Sequence, residues 1–128
     1  MEYVVVDLEM CRIPDTHANQ SLRGHLEIMQ IGAVLLNEKY HEISTFSVFV
    51  RPVMARVDDF IEKLTGIRER DLRDAPSLKD AIKMMAGWIG ERQVTFLAWS
   101  KSDYTQFKKE FNAKGINGPF ALRLLDKK

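Results

Sequence analysis

Cysteine occurs once in the 128 residues, at Cys11. A single thiol excludes an intramolecular disulfide framework and suits a reducing compartment. Long apolar runs are also missing, so no membrane-spanning helix and no membrane partner are expected. The N-terminus lacks a basic segment followed by an apolar one, which argues against a secretory signal and for a cytoplasmic location. Charge of one sign is lacking too: 19 Lys and Arg oppose 18 Asp and Glu. No global field therefore marks the chain for a polyanion or a membrane surface. Repeats and low-complexity segments are absent. What remains, 45% apolar and 29% charged residues, suits one folded domain over residues 1–128. The charge is uneven, however. From Trp99 onward seven basic residues (Lys101, Lys108, Lys109, Lys114, Arg123, Lys127, Lys128) face three acids (Asp103, Glu110, Asp126).

The organising stretch is Tyr3 to Cys11. Val4, Val5 and Val6 are β-branched and read as a buried strand. Side chains two apart on a strand share a face, so Asp7 and Glu9 lie together, about 6.6 Å apart along it. Like charges that close call for compensation. A hard divalent cation with oxygen ligands, Mg²⁺ or Mn²⁺, would supply it. A polar strand end with solvated carboxylates fits the spacing equally well.

Residues 12–23 form a polar loop flanked by His17 and His25, ligand types whose usual state is solvated. Leu26–Leu36 is a second, mostly apolar strand, Asn37–Lys39 a turn, and Glu42–Val50 a third strand ended by Pro52. A short helix capped by Asp58 or Asp59 stops at Thr65–Gly66, and a turn spans Asp71 to Pro76. Ser77 then caps a helix whose face is Leu78, Ala81, Ile82, Met85, Trp88 and Ile89. Val94–Trp99 is a fourth strand, reached through helices and so parallel to the first. The next helix buries Tyr104, Phe107 and Phe111, turns Lys108, Lys109 and Lys114 outward, and ends at Gly115. Ala121–Leu125 reads as a fifth short strand. This order gives an α/β fold: an antiparallel three-strand meander extended by parallel strands, with flanking helices. The carboxyl ends of strands one and four bring Asp7, Glu9 and the helix-starting Asp103 together. An acid in a first helical turn is also favoured by the dipole alone.

Val4–Glu9, Glu27–Val34, Phe49–Pro52, Leu64–Ile67 and Ala98–Phe107 together resemble the DEDD-type 3′–5′ exonucleases of ribonuclease H-like fold, nearest in flavour to the ERI-like RNA-trimming branch. The resemblance implies two-metal phosphodiester hydrolysis at the 3′ end of single-stranded RNA or DNA, RNA favoured. It makes Asp7, Glu9 and Asp103 the catalytic metal ligands for Mg²⁺ or Mn²⁺. Leu8, Met10 and Cys11 would contact the terminal nucleotide, and Lys101, Lys108 and Arg123 would meet its backbone.

One departure from that pattern is large. The family's third motif needs a general-base histidine and a fourth aspartate on a C-terminal helix, and no histidine follows His41. The resemblance therefore implies a C-terminally truncated domain without that helix, with impaired activity, since a general base contributes about 10²–10⁴-fold. A homo-oligomer covering the incomplete side is one expected remedy. The alternative is an inactive nucleic-acid-binding or protein-interaction scaffold on the same fold.

Overall fold

The run of β-branched residues after Met1 builds β1 (Glu2–Arg12), the strand on which the sheet is centred. The structure is a computed structural model that describes residues 1–98 and 100–125. β2 (Leu26–Leu36) pairs antiparallel with β1, and β3 (Glu42–Phe49) pairs antiparallel with β2. In the β2–β3 turn, the Asn37 side chain accepts the Lys39 and His41 backbone N–H groups, while Tyr40 takes a left-handed φ of 65°. Tyr40 is held there by stacking on Tyr3, ring centroids 5.0 Å apart.

Three helices follow. Asp58 caps α1 (Asp59–Thr65) by accepting the Ile61 N–H, and Gly66 closes it at φ 76°. α2 (Glu69–Leu72) is a single turn, helical where only the turn beyond it was expected, because the Asp71 carboxylate accepts the Arg68 N–H. Ser77 caps α3 (Leu78–Ile89) as the sequence indicates. β4 (Val94–Ala98) then pairs parallel with β1, giving the order β3-β2-β1-β4. The expected end of this strand, Trp99, lies outside the described residues, as do Asp126, Lys127 and Lys128.

α4 (Lys101–Lys114) ends at Gly115, and α5 (Pro119–Leu124) closes the described chain. The fifth strand expected at Ala121–Leu125 is therefore helical. Pro119 occupies the first helical position, where its missing N–H costs nothing, and Ala121 and Leu124 are buried three apart. Phe120 meets Phe96 of β4 edge-on at 5.7 Å, and Arg123 lies over the same ring. This short helix covers sheet surface that the sequence reading left bare.

Two cores sandwich the sheet. Val4, Val6 and Leu8 face α3, α4 and α5, where Met85, Phe107 and Phe111 fill the main core. Each such buried side chain contributes about 1.5–3 kcal/mol. On the opposite face Cys11, Ile13 and Met29 pack against Ile61, Ile67 and Leu72. A β-bulge separates the two. Glu9 pairs with Gln30 but Met10 pairs with Ile28, leaving Met29 over. Ile28 consequently enters the main core and Met29 the second one. No helix among the described residues is long and apolar enough to cross a membrane.

Candidate active site

Among the described residues, the last pair between β4 and β1 is Val6–Ala98. Asp7 and Glu9 follow on β1, and α4 begins at Lys101, soon after β4. Asp7 is exposed and Glu9 half-buried, on the face opposite the main core. The floor beside them is low and polar: Gly32 stands across from Asp7, Ser47 across from Gly32, and Gln30 across from Glu9. The Gln30 amide donates to Ser47 Oγ at 3.2 Å. A Cβ on Gly32 would stand 3.5 Å from the Asp7 carbonyl oxygen, an ordinary van der Waals contact.

Asp103 reaches the same place from the first turn of α4. It is only 4% exposed, and its carboxylate accepts the Ser100 N–H at 3.3 Å. The helix-start role and the expected site role thus fall on one side chain. Glu9 registers the gathering of charge: burial raises its pKa above the ordinary glutamate value, and the Asp7 and Asp103 carboxylates raise it further. Asp7 and Asp103 are therefore both within electrostatic reach of Glu9. No three His, Cys, Asp or Glu side chains among the described residues are gathered tightly enough to cage a metal by themselves. An all-carboxylate set with mutual repulsion nonetheless fits Mg²⁺ or Mn²⁺, hard ions that keep several waters and need few protein ligands.

The remaining expected residues divide. Lys101 is exposed at the start of α4, two residues before Asp103. Met10 is half-buried against the main core, and Leu8 is inside it. Cys11 is fully buried in the second core, its thiol donating to the Glu27 carbonyl at 3.7 Å and pushed up to about 12 by burial, with Glu27 adding to the rise. The Leu8 and Cys11 side chains are thus buried in the two cores. His17 Nδ1 accepts the Asn19 N–H, and His25 stands against Lys109 at 3.1 Å.

Lys114 does not face outward as expected. Its ammonium donates to Glu27 Oε2 at 2.8 Å and to Glu110 Oε1 at 2.7 Å. Glu27 also accepts three consecutive N–H groups, from Val53, Met54 and Ala55, at 2.7–2.9 Å. Glu110 accepts the Ile28 N–H beside the bulge at 2.8 Å, and Gln106 bridges Glu110 to the Leu26 carbonyl. Burial alone would raise Glu27; the Lys114 bond and the three amides outweigh it and hold the carboxyl below its ordinary value. This network fastens the helix bearing Asp103 to the strand facing Glu9. The sequence signal for it was a glutamate inside an otherwise apolar strand, because a buried charge must be paired.

Comparison with known proteins follows the same geometry. The family model described as exonuclease matches residues 4–115. Over 81 residues, 63% of this chain and 5% of the relative, the sequence is 35% identical to the PolC-type DNA polymerase III of Caldanaerobacter subterraneus subsp. tengcongensis. Among solved structures, the nuclease domain of 3′hExo, a DEDDh family member bound to rAMP, superposes with a TM-score of 0.75 at 21% identity, covering 94% of this chain and 63% of that one. A 3′-exonuclease recognising the 3′ end of the histone mRNA stem-loop superposes at 0.77 with 20% identity, over 94% of this chain and 44% of that one. The chain thus spans less than two thirds of each of these relatives.

Proposed function

Because this chain belongs to the exonuclease family, we propose that it acts on the 3′ ends of single-stranded nucleic acid, RNA in preference to DNA, by two-metal phosphodiester hydrolysis at Asp7, Glu9 and Asp103. The observation that carries this reading is that Asp7 on the same strand face and Asp103 on α4 both act on Glu9, whose pKa is raised by burial and then by these two carboxylates. When bound, Mg²⁺ or Mn²⁺ would supply an acidified water and neutralise charge developing on the phosphate. Asp7 and Glu9 would hold such ions from the strand, and Asp103 from the helix. Lys101 offers a positive charge to the substrate backbone, and the low floor at Gly32 leaves room for the terminal nucleotide. The preference for RNA is supported by the rAMP complex and the histone mRNA complex among the structural neighbours.

No histidine follows His41 in these residues, so the imidazole base of the family's third motif is not supplied by them. The second reading is a scaffold that binds without cleaving. Digestion of 5′-labelled single-stranded RNA and its DNA equivalent separates the two. The expected result is a Mn²⁺-dependent ladder shortening from the 3′ end, faster on RNA and abolished by EDTA and by Asp7→Asn. A protein that leaves both strands intact, and whose melting temperature ignores Mn²⁺, overturns the enzymatic reading. Size-exclusion chromatography of the active sample shows whether a second copy completes the site.

A further inference from the structure

The segment leaving β3 and the short α2 enclose a cavity of about 490 Å³ that the carboxylate site does not use. Arg51, Arg56 and Arg73 line it, against a single acid, Glu69. The segment as a whole is not basic. Between residues 51 and 75 six basic side chains (Arg51, Arg56, Lys63, Arg68, Arg70, Arg73) meet six acidic ones (Asp58, Asp59, Glu62, Glu69, Asp71, Asp74). What separates the signs is how the acids are used. Asp58 accepts the Ile61 N–H, Asp71 the Arg68 N–H and Glu69 the Val57 N–H, so these acids serve the backbone while three arginines stand around the cavity.

Among the described residues, the one ion pair made by these arginines joins Arg56 to Glu69 at 3.8 Å, with the Arg56 side chain 74% exposed. A pair that long and that solvated holds little. Arg51 and Arg73 take part in no ion pair among the described residues. Their backbone, by contrast, is fixed. The Arg51 N–H donates to the Pro76 carbonyl at 2.8 Å, Arg56 exchanges backbone bonds with Arg12, and Glu27 clamps the amides of Val53, Met54 and Ala55 between them. Ala55 and Leu72, also in the cavity wall, are buried in the second core. Guanidinium groups stay charged at all working pH values, are weakly hydrated, and match phosphate oxygens as a planar fork. Among the described residues no aromatic ring lines the cavity, so they offer nothing on which a base would stack.

We infer that this cavity binds a backbone phosphate of a single-stranded nucleic acid, apart from the bond being cut, and so anchors the strand on the 51–75 segment. The inference rests on the exonuclease reading for the identity of the strand. Fluorescence anisotropy of a 5′-labelled single-stranded RNA, in EDTA to prevent cleavage and across a salt series, tests it. Arg51→Ala with Arg73→Ala is expected to weaken binding tenfold or more. It should also make the salt dependence shallower by about 0.7 for each phosphate that the arginines no longer neutralise. Arg51→Lys with Arg73→Lys should keep the salt slope and give up part of the affinity. Both positions are exposed, so unchanged melting temperatures will show that the variants fold. Lys79→Ala with Lys83→Ala removes the same amount of charge from the exposed side of α3, across the sheet, and should leave binding as in the wild type.

Unchanged affinity and slope in the folded arginine-to-alanine variant overturn the inference, as does an equal weakening by the two lysine substitutions on α3. The 3′-shortening assay reads the other site separately. Arginine-dependent binding without any shortening supports the cavity and removes the enzymatic reading. Normal shortening with arginine-independent binding does the reverse.

Discussion

Glu9 and Glu27 stand at the same end of the sheet, on neighbouring strands, yet the pKa of one is raised and that of the other lowered. Glu27 is the more deeply buried, and it is the one held ionised, by Lys114 and three backbone amides. Glu9 meets only partial burial and two more carboxylates. Burial therefore does not decide the sign; the partners do. Where the fold is to be fixed, the protein brings its own cation. Where chemistry is proposed, it gathers like charges and leaves their neutralisation to something that binds.

The largest expected effect lies on the fixed side of this comparison. Glu27→Ala removes the acceptor of four bonds and leaves Lys114 with Glu110 as its partner among the described residues, and should cost about 3–5 kcal/mol, as breaking a buried pair does. Urea denaturation measures it, and a loss under about 1 kcal/mol would show the network to be incidental. Acid should mimic the substitution. A lowered pKa means that Glu27's stabilisation is complete above the ordinary value of 4.5 and is lost as pH falls through the depressed one.

A smaller effect of opposite sign belongs to the other side. Glu9, with its pKa raised, favours the folded state most at low pH, and that contribution is lost as pH rises from 4.5 through the raised value. Carboxyl NMR should find Glu9 titrating above an ordinary glutamate in EDTA and moving down in saturating Mg²⁺. An unresponsive Glu9 would break the comparison. Smallest of all, Asp7→Asn should leave stability in EDTA within about 0.5 kcal/mol while relieving one repulsion. Thermal melting with and without Mn²⁺ then shows whether the metal-induced gain has gone. A variant still stabilised as fully as wild type would remove Asp7 from the ligand set.

Much of this was legible in local pattern. The valines before Asp7, the polar turn at Asn37, the Ser77 cap and the apolar spacing after it each specify an element through contacts with near neighbours. The meander, the helices and the parallel fourth strand follow from them. Ala121–Leu125 was not legible, because a short apolar run fits either strand or helix, and Pro119 together with the packing of Phe120 on Phe96 settled it. Lys114 misled for a related reason. Lysine on a helix is ordinarily solvated, and its two partners include one 87 residues away.

The sequence by itself determined the order and type of most elements and the shared face of Asp7 and Glu9, since the two-residue period of a strand needs nothing from the rest of the chain. Only the tertiary structure decided the bulge at Met29, the clamp on Glu27 and the approach of Asp103 to Glu9. Those depend on where distant segments meet, and charges separated by most of the chain acquire their energies only once the fold has brought them together.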